Sequence, residues 1–143
     1  GVPENVTYDK PELDIDSVVP VIGTVTSHFG YRDHPVEGEI IFHYGTDIGA
    51  DKGQDVLAFA DGSVYAVGDS SSYGLYIILQ HDNGIETLYA HLDSVDVEGG
   101  DSISKGEKIG SVGDSGNATG PCLHFELMQN EIYLNPEYYV QWK

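Results

Sequence analysis

Short apolar runs separated by glycine-containing turns constrain the fold of this 143-residue chain more than any other feature. The clearest case is the pair of runs Leu75–His81 and Ile85–His91, which flank Asp82-Asn83-Gly84. Asn-Gly between two apolar runs is the strongest short-range signal for a β-hairpin, because both residues tolerate positive φ. No segment shows a sustained 3.6-residue apolar period. The sequence therefore predicts an all-β, mostly antiparallel fold.

The remaining apolar runs and turn residues extend this interpretation along the chain. Further strands are predicted at Val18–Thr26, Asp55–Ala60, Ser63–Val67, Cys122–Met128 and Ile132–Leu134. Polar, glycine-containing loops are predicted at Ser27–Gly38, Gly68–Gly74 and Gly113–Gly120. Short strands and turns fill Glu98–Gly110, a turn covers Gln129–Glu131, and Asn135-Pro136 is predicted to cap a helical turn over Glu137–Val140.

Domain organisation follows from composition. Residues 1–17 are acidic and contain two prolines, so we expect a linker or an extended arm there, followed by one domain over residues 18–143. The chain begins with Gly and shows no signal peptide, so we expect a mature or excised domain of a longer protein. The absence of a run of about 18 apolar residues predicts no transmembrane helix.

The charge balance limits the kinds of partner. The chain has 24 acidic and 6 basic residues, a formal net charge of −18. Nucleic acids need basic residues at the interface, and anionic lipid surfaces repel an acidic domain, so neither partner is expected. The one cysteine, Cys122, excludes an intrachain disulfide.

Three separated histidine-bearing segments stand beside apolar strand residues. His43 and Asp47 form a His-x-x-x-Asp pair within Phe42–Asp47, and both are common ligands of a divalent metal such as zinc. Gly45 interrupts this stretch, so we expect a short strand followed by a glycine-bent loop. The other two segments are Tyr89-Ala90-His91-Leu92 and Gly120-Pro121-Cys122-Leu123-His124-Phe125-Glu126. Such an arrangement is typical of a site assembled across a sheet, where alternate residues share a face.

These motifs resemble the signatures of the zinc metallopeptidases of the lysostaphin and LytM type (family M23), which cut peptidoglycan cross-links. The family pattern is His-x-x-x-Asp, then Tyr-Ala-His-Leu, then Gly-Pro-His-Leu-His-Phe-Glu. The resemblance runs from about Val18 to Tyr139 and implies a LytM-type hybrid barrel or sandwich with a metal-containing groove. We expect the groove walls to come from the three polar loops. Cys122 stands where the last motif has its first histidine.

The resemblance also implies a role for each site residue. His43, Asp47 and His124 are implied as Zn²⁺ ligands, and three protein ligands leave the open position that a catalytic zinc requires. His91 is implied as an imidazole that exchanges protons with the substrate. Cys122 replaces a second catalytic imidazole, and a thiol is a shorter and weaker hydrogen-bond donor. It could also be a fourth zinc ligand that closes the site, or a small buried hydrophobe.

Three histidines carry no implied role. His28 and His34 fall in the predicted loop after the first strand, and loop histidines are mostly solvated. His81 ends a predicted strand and matches no part of the motifs, so we expect its side chain to be exposed.

Three functions compete at this point. The leading interpretation is an extracytoplasmic zinc endopeptidase that hydrolyses stem peptides or cross-bridges of peptidoglycan, with activity impaired by Cys122. The second is a non-catalytic LytM-like scaffold or regulator that binds a protein partner in cell-wall remodelling or sporulation. The third is a carrier or phosphotransfer domain, suggested by the Gly100-Asp101 and Lys105-Gly106-Glu107 turns. It lacks a Met-Lys carrier dipeptide and leaves the His43–Asp47 pair unexplained.

Overall fold

Antiparallel strands make up nearly all the regular structure of this chain. A computed structural model describes residues 2–31 and 41–142. The strands in these ranges are β1 (Thr24–Ser27), β2 (Gly30–Tyr31), β3 (Phe42–His43), β4 (Thr46–Gly49), β5 (Asp55–Leu57), β6 (Gly62–Ser70), β7 (Gly74–Gln80), β8 (Ile85–Val95), β9 (Ser102–Ile103), β10 (Lys108–Val112), β11 (Cys122–Gln129) and β12 (Ile132–Leu134). Two single 3₁₀ turns cover Asp82–Gly84 and Pro136–Tyr138. The predicted all-β class is confirmed. No helix in the described ranges is long and apolar enough to span a bilayer.

One large sheet carries most of these strands. Its main path runs β1-β4-β11-β8-β7-β6-β9, with β10 joined to β5 and β8 and with β12 joined to β11. Strands β2 and β3 form a separate antiparallel pair. Strand β11 lies between β4 and β8, where His124 is opposite Asp47 on one side and Ala90 on the other. This register brings the separated histidine-bearing segments side by side.

Strand β11 divides its side chains between the core and the opposite face. Leu123, Phe125 and Leu127 are fully buried, and Phe125 packs against the rings of Phe59 and Tyr89. Burying an apolar side chain of this size contributes about 1.5–3 kcal/mol. The alternate residues of β11 therefore point to the other face. The core on one face of β11 thus fixes the orientation of the chemical groups on the other.

The predicted hairpin at Asp82-Asn83-Gly84 is confirmed. Asn83 and Gly84 both have positive φ, 64° and 74°, as an Asn-Gly turn requires. Strand β8 extends beyond the predicted end at His91, as far as Val95. Ala90 and His91 together lie opposite one residue of β7, and His91 has a φ of 63°. The bulge changes the direction of the His91 side chain in the middle of β8. His91 is therefore not the last residue of the strand, although it was predicted to be.

Several predicted boundaries are wrong for local reasons. Only the last part of Val18–Thr26 is a strand, because Pro20 has no N–H to donate to a ladder. The segment Asp55–Ala60 is a strand only as far as Leu57. The predicted loop Gly68–Gly74 is shorter, since β6 continues to Ser70. Gly68 pairs with Tyr76 of β7, whose ring occupies the space that a side chain at position 68 would need.

Two predicted turns are present in the structure, and one predicted loop contains a short strand. The turn near Gln129 involves Asn130 and Glu131, both with positive φ, and the helical turn after Asn135 is the Pro136–Tyr138 turn. Part of the predicted loop Ser27–Gly38 is strand β2. His34 lies outside the described residues.

The acidic segment before Val18 lies along the domain. Val6 forms an isolated parallel bridge with Tyr133, and Leu13 is 7% exposed within the main core. The Tyr139 hydroxyl donates to the Pro11 carbonyl at 2.6 Å, and the Asn83 amide donates to the Leu13 carbonyl at 3.0 Å. Apolar contacts and backbone acceptors together hold this segment on the surface of the sheet.

Candidate metal centre

Three side chains from β3, β4 and β11 meet on the polar face of the sheet. One donor atom from each of His43, Asp47 and His124 lies within 4.8 Å of the other two. His124 Nδ1 is 2.6 Å from Asp47 Oδ1, and His43 Nε2 is 3.4 Å from the same oxygen. Gly45 permits this convergence, because a Cβ there would lie 2.5 Å from the Phe125 carbonyl oxygen. The glycine-bent path predicted for this stretch therefore brings β4 close to β11.

A second hydrogen bond on each imidazole fixes which nitrogen faces Asp47. His43 Nδ1 donates to the His28 carbonyl at 2.9 Å, which leaves the Nε2 lone pair free. His124 Nε2 lies 2.7 Å from Glu126 Oε2, which leaves Nδ1 toward Asp47. Such partners on the remote nitrogen are typical of metal-ligating histidines. Two imidazoles and one carboxylate are a donor set suited to zinc, so these residues fit a divalent metal of that kind.

The electrostatics of the three residues favour a cation at this point. Burial lowers the pKa of His124, but hydrogen bonds to Asp47 and Glu126 outweigh that effect and raise it to about 9. Burial also opposes ionisation of Asp47, yet hydrogen bonds from His124 and His43 hold its pKa well below the usual range. In the metal-free protein, the His124 ring carries a positive charge between two carboxylates. A metal ion would replace that charge.

A cleft of about 420 Å³ opens beside Asp47. Its lining comprises Thr26, Ser27, Asp47, Gly49, His91 and residues 117–122. The predicted wall at Gly113–Gly120 is confirmed, and Ser27 contributes from the first predicted loop. The predicted wall at Gly68–Gly74 does not line this cleft, although Tyr73 from that stretch stacks on the His124 ring. That turn instead supports the neighbouring wall, since the Ser72 carbonyl accepts from the Asn117 N–H at 2.9 Å.

His91 faces the cleft with a defined tautomer. Its Nδ1–H donates to the Ser115 carbonyl at 2.8 Å, and its backbone N–H donates to the Tyr73 carbonyl at 2.8 Å. Burial lowers the pKa of His91, although the bond to Ser115 opposes that shift. The ring is therefore neutral near neutral pH, with the Nε2 lone pair free to accept a proton. This is the state that a general base requires.

Cys122 lies on the same strand face as His124, two residues and roughly 6.6 Å along β11. Its side chain is half-buried and lines the cleft with His91. Burial, assisted by the charges of Asp47 and Asp114, raises the pKa of the thiol to about 11. Among the described residues, the donor atoms that lie within 4.8 Å of one another belong to His43, Asp47 and His124, and the Cys122 sulfur is not one of them. Cys122 is thus a neutral thiol beside the donor group.

Two supporting side chains were not predicted from the sequence. Glu126 is 4% exposed and accepts from the Tyr73 hydroxyl at 2.7 Å as well as bonding His124. The Tyr73 ring also stacks on the His124 ring, with centroids 5.7 Å apart. Strand alternation indicates Glu126, because it shares a face with His124. No local signal indicates Tyr73, which is 51 residues away from His124 in the sequence.

Two of the histidines without an implied role have contacts that their sequence positions do not predict. His28 is largely solvated as expected, with a side chain 74% exposed, but its Nδ1 pairs with Glu137 Oε1 at 2.6 Å. The prediction of an exposed His81 is wrong. Its two ring nitrogens lie 2.8 Å from the Asp61 carbonyl and 2.8 Å from Thr87 Oγ1. The ring folds over the turn beside Gly62, where no side chain obstructs it.

Comparison with known proteins gives concordant matches. Residues 41–136 match the family described as peptidase family M23. The DD-carboxypeptidase/endopeptidase Mpg of Neisseria meningitidis serogroup B is 40% identical over 121 residues, which cover 84% of this chain and 28% of that protein. The peptidoglycan DD-endopeptidase ShyB of Vibrio cholerae is 38% identical over 105 residues, covering 73% and 25%. A zinc-containing peptidase from Vibrio cholerae superposes with a TM-score of 0.77 and 34% identity, over 83% of this chain and 37% of that one. This chain therefore spans less than a third of the curated relatives it matches.

Proposed function

Because this chain belongs to peptidase family M23, as its motifs led us to expect, we propose that it is a zinc-dependent endopeptidase acting on peptidoglycan peptides. The observation that carries the proposal is the convergence of His43, Asp47 and His124 within 4.8 Å. Three protein ligands of these types leave a coordination position for substrate or water, which distinguishes catalytic from structural zinc sites. The names of the relatives, a peptidoglycan DD-endopeptidase and a zinc-containing peptidase, support the same substrate and metal.

The residues around the donor group have separate tasks in peptide hydrolysis. Zinc, when bound, would supply Lewis-acid chemistry that polarises a carbonyl and lowers the pKa of bound water to about 7. His91 presents an unprotonated Nε2 to the cleft, so it accepts the proton of the attacking water and returns it to the leaving amine. The Ser115 carbonyl holds the ring in this tautomer. Glu126 and Tyr73 keep the His124 ring in place through their hydrogen bonds.

Cys122 makes this peptidase slow. Its S–H group is a weak hydrogen-bond donor, and in the metal-free protein burial raises the pKa of this thiol to about 11. The site therefore has one fewer strong donor for the negative charge that develops on the carbonyl oxygen. Losing one preorganised donor of this kind typically costs on the order of 10²–10³ in rate. Slow hydrolysis remains, because His91 and the metal ligands are all present.

The proposed setting is the cell envelope or the extracellular medium. Peptidoglycan lies outside the cytoplasm, and the relatives include a peptidoglycan DD-endopeptidase. The net charge of −18 argues against binding the acidic polymers of the wall directly, so the contact is with the peptide portion. Within the described residues, 2–17 form an arm that packs along the rest of the domain.

The test combines metal analysis with a digestion assay. Metal-replete protein is expected to contain about one zinc per chain and to release products slowly from cross-linked muropeptides, as followed by mass spectrometry. The His124→Ala variant should lose both zinc and activity, while Glu98→Gln, an exposed acid in a distant turn, should retain both. A parent chain that holds no zinc after loading would contradict the proposal.

A non-catalytic scaffold remains the second candidate, and Cys122 is the observation that favours it. In that case the groove would bind a protein or peptide without cleaving it. The same assay separates the two functions. Zinc-loaded parent and zinc-loaded Cys122→His that both leave every cross-linked muropeptide intact would support the scaffold over the peptidase.

A further inference from the structure

The polar face of the sheet continues past His124 into a second pocket, of about 240 Å³. Strand β11 supplies its central residues, Glu126 and Met128, which follow His124 on the same face. Across the sheet, Met128 lies directly opposite Glu86 on β8 and Tyr133 on β12. The pocket therefore begins at the residue that holds the His124 ring.

The pocket and the cleft lie on opposite sides of the metal centre. Along β11, Cys122 lies on the cleft side of His124 and Glu126 lies on the pocket side, each two residues away. The Tyr73 ring lines the pocket and stacks on the His124 ring. At 3.3 Å per residue, Glu126 and Met128 lie roughly 7 and 13 Å from His124 along β11. A peptide that crosses the metal centre along this strand covers the same distance to reach the pocket. One of its side chains near the scissile bond then reaches the pocket.

The floor of the pocket is apolar. Ile78 and Leu88 lie opposite each other on β7 and β8, and Leu88 lies opposite Glu126 on β11. With Met128 they form a hydrocarbon surface on which an aliphatic chain can pack. The rings of Tyr73 and Tyr133 bound this floor.

Negative charge lies above that floor. The carboxylates of Glu126 and Glu86 line the pocket together with Tyr133. Glu126 is already bonded to His124 and Tyr73, whereas the contact of Glu86 is the Gln80 amide at 3.3 Å. Within residues 2–31 and 41–142, no Lys or Arg side chain forms an ion pair with either carboxylate. Glu86 therefore has no basic partner among these residues and can bind a cation that a ligand supplies.

We propose that this pocket is a subsite for a substrate side chain with an aliphatic stem and a terminal amine, such as lysine or another diamino acid. The stem packs on Ile78, Leu88 and Met128, and the ammonium group binds Glu86, as long basic side chains do when they cover apolar surface. Glu86 would thus determine specificity. The assignment rests on the proposed function, since the occupant is taken to be part of the peptide that is cleaved.

A binding experiment tests the subsite without using catalysis. Met128 is the only methionine of the chain, so ¹³C-methyl-methionine labelling gives one NMR signal from inside the pocket. The probes are two blocked tripeptides, Ala-Lys-Ala and Ala-norleucine-Ala, which differ in the terminal amine. The lysine peptide should shift the Met128 signal saturably and bind on the order of 10-fold more tightly than the norleucine peptide, because a hydrogen bond to a charged group is lost in the latter.

Charge-removing variants identify the partner of the amine. Glu86→Gln should abolish the preference for lysine, while Glu98→Gln, which changes an exposed acid outside the pocket by the same substitution, should keep it. An unmoved Met128 signal, equal affinity for both peptides, or an unchanged preference in Glu86→Gln would each overturn the subsite. Equal affinity with a moved signal would indicate a purely apolar pocket.

A cleavage experiment then separates this inference from the proposed function. Cross-linked peptides containing lysine or norleucine at the corresponding position should differ by on the order of 10-fold in kcat/KM for the parent, and little for Glu86→Gln. Equal cleavage of both substrates by the parent would overturn the subsite and leave the peptidase standing. Cleavage of neither substrate, with the lysine-specific Met128 shift intact, would overturn the peptidase and leave the binding site standing.

Discussion

His124 and Cys122 lie on the same face of β11, yet their side chains are held very differently. His124 is bonded on both ring nitrogens, to Asp47 and to Glu126, and His43 is fixed by the His28 carbonyl. Two residues away on β11, Cys122 presents a half-buried thiol with a pKa raised to about 11. The elements that would bind a metal are thus complete and supported. Cys122, beside them, offers only a thiol, which is a weak hydrogen-bond donor.

Under the proposed function, this difference predicts that metal affinity and turnover depend on separable parts of the site. Partners of the ligand nitrogens hold the metal centre, and changing them affects affinity by about 10–100-fold. Donors that face the cleft act only on the reacting carbonyl, so changing them affects the rate.

The largest expected effect is on turnover. Cys122→His restores an imidazole beside His91 and should raise hydrolysis of cross-linked muropeptides by on the order of 10²–10³, with zinc affinity nearly unchanged. Turnover is measured on zinc-loaded proteins under identical conditions, with Cys122→Ala as a matched control for loss of the thiol. Equal turnover of parent and Cys122→His would show that Cys122 does not limit the rate.

A smaller effect is expected on metal affinity when the support of His124 is weakened. Glu126→Gln keeps the size of the side chain but removes the charge that orients the His124 ring. Zinc affinity should fall by about 10–100-fold, as measured by competition with a chelator. Glu98→Gln serves as the control and should bind zinc as the parent does. Unaltered affinity in Glu126→Gln would mean that the ring needs no carboxylate partner.

The smallest effect concerns the partner of His43. The Glu137 carboxylate bonds His28 Nδ1 at 2.6 Å, the Phe29 N–H at 3.0 Å and Thr46 Oγ1 at 3.2 Å. These bonds fix the position of the His28 carbonyl, which accepts the hydrogen bond from His43 Nδ1. Glu137→Gln should lower the free energy of unfolding by about 1–2 kcal/mol and weaken zinc binding by less than ~10-fold. A loss of zinc affinity larger than that of Glu126→Gln would reverse this ranking.

The sequence predicted the polar core of the site because its motifs are local. The resemblance to the M23 motifs implied His43, Asp47 and His124 as ligands, and strand alternation predicted that Cys122 and His124 share a face. The structure brings the three donor atoms together. The hairpin that carries His91 was also predictable, because Asn83 and Gly84 specify their turn. The all-β class followed from the same turn signals.

The parts that escaped prediction depend on contacts between distant segments. Tyr73 reaches Glu126 across 53 residues, and Glu137 reaches His28 across 109. The bulge at His91 arises from the mismatch of β7 and β8, which no single strand reveals. His81 was misjudged for the same reason, since its partner Asp61 comes from a neighbouring turn.

The coordination of zinc in the loaded parent protein tests the central claim most directly. X-ray absorption at the zinc edge should show nitrogen and oxygen neighbours at ~2.0–2.2 Å, from His43, Asp47 and His124, with no sulfur neighbour. That result would mean that the site is open and that Cys122 acts on the rate alone. A sulfur neighbour at ~2.3 Å would contradict the account, because Cys122 would then be a fourth ligand and the site would be closed.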